Sequence, residues 1–177
     1  GAFPIETPLA RTGEITLFAD RGNTETLLAQ AGADAGVESL LSTHLSRLGS
    51  GDYFAVLAYV DRSTVNWHMF QTLRQVVRDA RRVATCVGFG PRFLHSTGQA
   101  FKGGPATGLF LQVTCDDVSD LTIPGRGYTF GVVKTAQALG DLQVLAERGR
   151  RALRVHLGGD VAGGLVWLTD MVRAAVS

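Results

Sequence analysis

Lysine is almost missing from this sequence: among seventeen basic residues only Lys102 and Lys134 are lysines, and the rest are arginines. Chemistry that needs an amine has two places to occur. An excess of charge is missing too, since seventeen basic residues face sixteen acidic ones and leave a formal net charge of +1. Counterion release cannot then dominate, so nucleic acid is not an expected partner. No apolar run approaches the ~20 residues that span a bilayer, and the opening GAFPIETPLA has no basic stretch leading into an apolar core. We expect no membrane association and a cytoplasmic location. Cys86 and Cys115 each lie in an apolar segment, where a free thiol behaves as a small buried hydrophobe rather than half of a disulfide. No His, Cys, Asp and Glu set has metal-ligand spacing, so no metal is expected.

What is present is a globular composition, 45% hydrophobic against 19% charged, in 177 residues. That is enough for one domain with a real core. Residues 1–13, with Pro4, Pro8 and Gly13, resemble a linker, and 14–177 a single domain. The chain begins without Met, and we expect it to be the C-terminal piece of a longer polypeptide. Apolar runs predict strands near 15–19, 53–60, 83–88, 109–114 and 153–157. The second of these is continuously apolar, as expected of a strand covered on both faces.

Helical spacing links the strands. Val37, Leu40, Leu41, His44, Leu45 and Leu48 form one stripe, and Met69, Leu73, Val76, Val77 and Ala80 a second, which starts after Asp61–Thr64. A long helix is expected over 128–147, and Val161, Leu165, Leu168, Val172 and Val176 stripe a last one. His44 on its apolar stripe suits a core histidine. Strands alternating with helices argue for right-handed βαβ crossovers. The expected fold is α/β, three-layered and doubly wound, on a mainly parallel five-stranded sheet. In such sheets ligands sit outside the carboxyl ends of the strands.

The third predicted strand leads into GFGPRFLHSTGQAFKGGPATG. Gly88, Gly90, Gly103, Gly104 and Gly108 allow close backbone approach to a ligand. Ser96, Thr97, Gln99 and Lys102 bring hydroxyls, an amide and a cation within seven residues, a set able to hold a phosphate or sugar hydroxyls. By residue type alone the segment reads more readily as a structural Gly-rich turn, which is commonplace in α/β proteins. His95 is the candidate acid/base, since imidazole titrates near neutrality. Arg148-Gly149-Arg150-Arg151 suits a solvated turn, Lys134 a lysine snorkelling from its helix, and Asp116, Asp117 and Asp120 a loop without fixed geometry.

Leu94-His95-Ser96-Thr97-Gly98-Gln99 is similar to the LHSMGQ segment of bacterial phosphoglucose isomerases. The longer GFGPRFLHSTGQAFKGGPATGLFLQVT and YTFGVVKTAQALGDLQVLAERGRRALRVHL look still more like the C-terminal end of the bifunctional transaldolase/phosphoglucose isomerases. The resemblance spans roughly residues 52 to 158. It implies a sugar-isomerase-like (SIS-like) fold and interconversion of glucose 6-phosphate and fructose 6-phosphate without a cofactor. It also implies His95 as the ring-opening group, with Ser96, Thr97, Gln99 and Lys102 toward a sugar phosphate. The other domains of the parent polypeptide, or a second copy in a homodimer, would be its partners. Two family features are absent: no Glu lies between Glu38 and Glu147 to act as the GESEGK-type base, and the FDQPxVxxxK segment is missing. The alternative is a non-catalytic sugar-phosphate-binding or assembly domain.

Overall fold

The structure, a computed structural model, describes residues 5–177. In chain order the elements are β1 (Ala10–Thr12), β2 (Ile15–Phe18), α1 (Arg21–Ala31), α2 (Val37–Ser46), β3 (Tyr53–Tyr59), α3 (Thr64–Arg81) and β4 (Ala84–Phe89). A single 3-10 turn, Arg92–Leu94, then leads into α4 (Ser96–Gly103), β5 (Gly108–Thr114), α5 (Phe130–Glu147), β6 (Arg151–His156) and α6 (Val161–Val176). The sheet has six strands in the order β1-β2-β6-β5-β3-β4. β6, β5, β3 and β4 run parallel, whereas β1 with β2 and β2 with β6 pair antiparallel.

This is an α/β fold with a mostly parallel sheet between helical layers, as the alternation predicted, but with six strands where five were expected. The extra strand is Ala10–Thr12, inside the stretch expected to be a linker, of which residues 1–4 lie outside the described residues. Thr12 pairs with Ile15 across a two-residue turn, and Gly13 takes φ +55° there, the backbone that such a hairpin asks of its first turn residue. α1 was also unforeseen. Asp20, expected to belong to a turn cluster, caps it by accepting from the Gly22 and Asn23 amides, while only Asn23 and Leu27 of the helix are buried, too few for a visible stripe.

The sheet separates two cores. On one face Phe54, Val56, Leu109, Leu111, Val113, Leu153 and Val155 are fully buried against Leu40, Leu41, Leu45, Phe70, Leu73, Leu168 and Val172 of α2, α3 and α6. Each such side chain contributes about 1.5–3 kcal/mol by leaving water, so this face carries most of the stability. On the other, α4 and α5 bring Phe101, Ala138, Leu142 and Leu145 against Ala55, Leu57, Tyr59, Phe110 and Ala152. His44 is a core residue, as expected. Its Nε2 lies 3.0 Å from the Phe110 carbonyl, and burial, aided by Arg47, lowers its pKa to about 3, so the ring is neutral. Among the described residues no helix is long and apolar enough to cross a membrane.

Candidate functional site

β4 delivers the chain to its carboxyl end, where Gly90 donates its amide to the Ala58 carbonyl at 2.8 Å. Of the glycines expected to admit a ligand, Gly88, Gly90, Gly104 and Gly108 admit aromatic rings or backbone instead, and Gly103 faces open space. A Cβ on Gly90 would lie 2.5 Å from the Tyr59 ring, and one on Gly98 2.6 Å from the Phe93 carbonyl oxygen. Gly98 and Phe101 form the buried side of α4, with the Phe101 ring centroid 5.4 Å from that of Phe110. His95 stands at the N-cap position but makes no side-chain capping bond. His95, Ser96, Thr97 and Gln99 are all exposed. The first turn of α4 thus offers uncapped N–H groups, two hydroxyls, an amide and an imidazole to solvent, the equipment of an anion or sugar-hydroxyl site.

Lys102 is turned away from that group. It lies four residues after the buried Gly98, hence toward α5, and its Nζ is 2.6 Å from Oδ1 of Asp141, whose side chain is 2% exposed. Among the described residues neither Asp141 Oδ2 nor the nearby Tyr59 hydroxyl has a hydrogen-bond partner. Burial, and then the Asp141 carboxylate, push the Tyr59 phenol far above its ordinary pKa, so it stays protonated. Arg150 closes the C-terminal end of α4, donating from Nη2 to the carbonyls of Lys102 at 2.7 Å and Gly104 at 2.6 Å. The expected solvated arginine turn holds for Arg148 and Gly149, which are exposed, and is corrected at Arg150 and Arg151. Arg150 is buried, and Arg151 donates to the Arg47 carbonyl and to Asp52, because β6 starts here and alternation turns them into the molecule.

Register builds a second polar region at the carboxyl ends of the parallel strands. Thr16, His156, Thr114 and Tyr59 stand side by side across β2, β6, β5 and β3, and one step along, Phe18, Arg154 and Gln112 do the same. Period-two alternation puts them on the α5 side of the sheet, opposite Leu17, Val155 and Val113. All but the fully buried Gln112 line a cleft of about 330 Å³ shared with Glu6, Arg11, Asp116, Asp117 and Lys134. His156 Nδ1 is 3.0 Å from the Thr114 hydroxyl and its Nε2 3.3 Å from Asp116. The Nε2–H tautomer suits both contacts, with Nδ1 accepting from Thr114. Burial outweighs Asp116 and lowers the His156 pKa. Lys134 pairs with Asp117 instead of reaching into solvent, and Asp120 accepts from the Gly131 amide at 2.8 Å, fixing the start of α5. Each of the three aspartates, expected to lack fixed mutual geometry, thus has a partner of its own.

None of these cleft residues belongs to the His95–Lys102 segment. The sequence showed His156 only as a strand-end histidine without a visible partner and gave Arg154 no role, although their alternation with Leu153 and Val155 was the available signal. Among the described residues no group of three or more His, Cys, Asp or Glu could hold a metal. Cys86 and Cys115 are free thiols whose pKa values burial raises.

Fold and site together define an α/β domain with polar groups gathered at the carboxyl ends of its strands. Its backbone is similar to the crystal structure of a hypothetical protein from Thermus thermophilus, with a TM-score of 0.68 at 21% identity, over 88% of this chain and 42% of that one. At that identity the likeness shows the fold, and this chain spans less than half of the Thermus protein's length. No protein-family model and no curated protein matches the chain.

Proposed function

We propose that this chain is the terminal sugar-isomerase-like domain of a phosphoglucose isomerase of the transaldolase-fused kind, contributing His95 and neighbouring donors to a sugar phosphate in the cytoplasm. The observation that carries this reading is the exposed set His95, Ser96, Thr97 and Gln99 on the uncapped first turn of α4, which follows the carboxyl end of β4 after the single 3-10 turn. The LHSTGQ resemblance falls on that turn. An exposed imidazole can take the proton of the sugar's anomeric hydroxyl and return one to the ring oxygen as the C–O bond opens. The uncapped amides and hydroxyls suit phosphate or sugar oxygens. The later transfer through a cis-enediol needs a base at the carbon-bound proton, which another domain of the parent polypeptide would supply.

One observation favours the rival reading for the chain by itself, a sugar-phosphate-binding or assembly domain without turnover. The segment exposes no carboxylate, and its cation, Lys102, is engaged by Asp141. A coupled isomerase assay on this chain and on the full-length parent separates the two. We expect turnover in the parent, its loss in parent His95→Ala, and none in this chain alone. Full activity of parent His95→Ala removes the catalytic reading. Calorimetry that detects no heat with millimolar glucose 6-phosphate or fructose 6-phosphate on this chain removes the binding reading.

A further inference from the structure

Arg154 is 4% exposed, and its guanidinium carbon lies 4.2 Å from the centroid of the Phe18 ring. The ring covers one face of the guanidinium, so recognition falls to its edges. On the edge formed by Nε and Nη2, Nη2 donates to Glu6 Oε2 at 2.6 Å, while the buried Nε–H has no partner among the described residues. Two parallel N–H groups on one such edge match the two oxygens of a carboxylate, and Glu6 uses only one of them. Glu6 arrives on residues 5–8, an exposed stretch outside any helix or strand. A tethered carboxylate therefore sits in the cleft on a half-used fork, with Thr16, Thr114 and Tyr59 among the cleft's other lining residues.

We propose that the cleft above Arg154 is a binding site for a small monocarboxylate, which takes both N–H groups of the Nε–Nη2 edge and displaces Glu6. The inference is independent of the isomerase reading. A cleft of about 330 Å³ suits a small ligand. A single negative charge suits it too: with Glu6 displaced, Arg11, Lys134 and Arg154 face Asp116 and Asp117, and with His156 kept neutral by burial one positive charge is left to answer. As a tethered competitor, Glu6 lowers the apparent affinity by the fraction of molecules in which it is displaced.

The test is a nitrogen-15 NMR titration of this chain with acetate and lactate, and separately with inorganic phosphate, following the Arg154 Nε–H signal and the amides of Thr16, Thr114 and His156. We expect saturable shifts with the monocarboxylates, about tenfold tighter binding in Glu6→Gln if Glu6 is seated in nine molecules of ten, and none in Arg154→Lys, which keeps the charge and loses the fork. Equal affinity in wild type and Glu6→Gln, absence of saturation in Glu6→Gln, or stronger binding of phosphate at the same signals would each overturn the proposal. Should Arg154→Lys lose its folded spectrum, the Glu6→Gln comparison decides by itself.

Discussion

The two faces of the sheet are built to different rules. Toward α2, α3 and α6 the strands present Val, Leu, Ile and Phe; of the polar side chains buried in that layer, Thr169 donates to the Leu165 carbonyl and His44 is held neutral. Toward α4 and α5 the same strands present Gln112, Arg154, His156, Thr114 and Tyr59, and α5 adds Asp141. The first face is close-packed and carries stability. The second retains charged and hydrogen-bonding groups that a purely stabilising core would replace with apolar ones. Both polar sites described above, the α4 turn and the Arg154 cleft, open on the second face or at its edge.

Substitution should expose this division. Leu111→Ala empties a fully buried position on the apolar face and should cost about 3 kcal/mol through lost transfer energy and a residual cavity, read from the urea midpoint. Asp141→Ala leaves Lys102 without its partner on the polar face. Because the Lys102 side chain is 21% exposed and can recruit water, the loss should be nearer about 2 kcal/mol. A double-mutant cycle with Lys102→Ala should return a coupling of about 1 kcal/mol or more, and a coupling of zero would mean that the pair does not hold α4 to α5.

The buried histidine on the apolar face predicts a pH dependence. The folded pKa of His44, about 3, lies below its unfolded value of 6.5, so above pH 6.5 the ring is neutral in both states and stability is complete. As pH falls from 6.5 toward 3 the unfolded state binds the additional proton. Stability then drops at up to about 1.4 kcal/mol per pH unit, or about 2 kcal/mol between pH 6.5 and 5. The lowered pKa of His156 adds in the same direction. His44→Gln, which keeps a donor for the Phe110 carbonyl, should flatten most of this slope in urea melts at the two pH values.

His95→Ala should have the smallest effect, within about 0.5 kcal/mol at pH 7, since the residue is exposed and caps nothing. A larger loss would give His95 a structural task and weaken the reading of the α4 turn as a ligand site.

The sequence by itself determined the elements whose pattern is local. The continuous apolar run of β3, the stripes of α2, α3 and α6, and the alternation of strand and helix were enough to give a mostly parallel α/β sheet with His44 in its core. It also placed LHSTGQ at the exit of a strand. Tertiary structure decided the rest, because it depended on partners far apart along the chain. β1 is a three-residue edge strand whose existence rests on pairing with β2, and α1 buries too little to announce itself. Lys102 and Asp141, thirty-nine positions apart, meet only when α4 packs on α5, and Glu6 reaches Arg154 across nearly the whole sequence. Alternation could show which side of β6 carries Arg154 and His156. That this side faces a cleft rather than solvent follows from the register of β2, β5 and β6 and from where α5 lies across them.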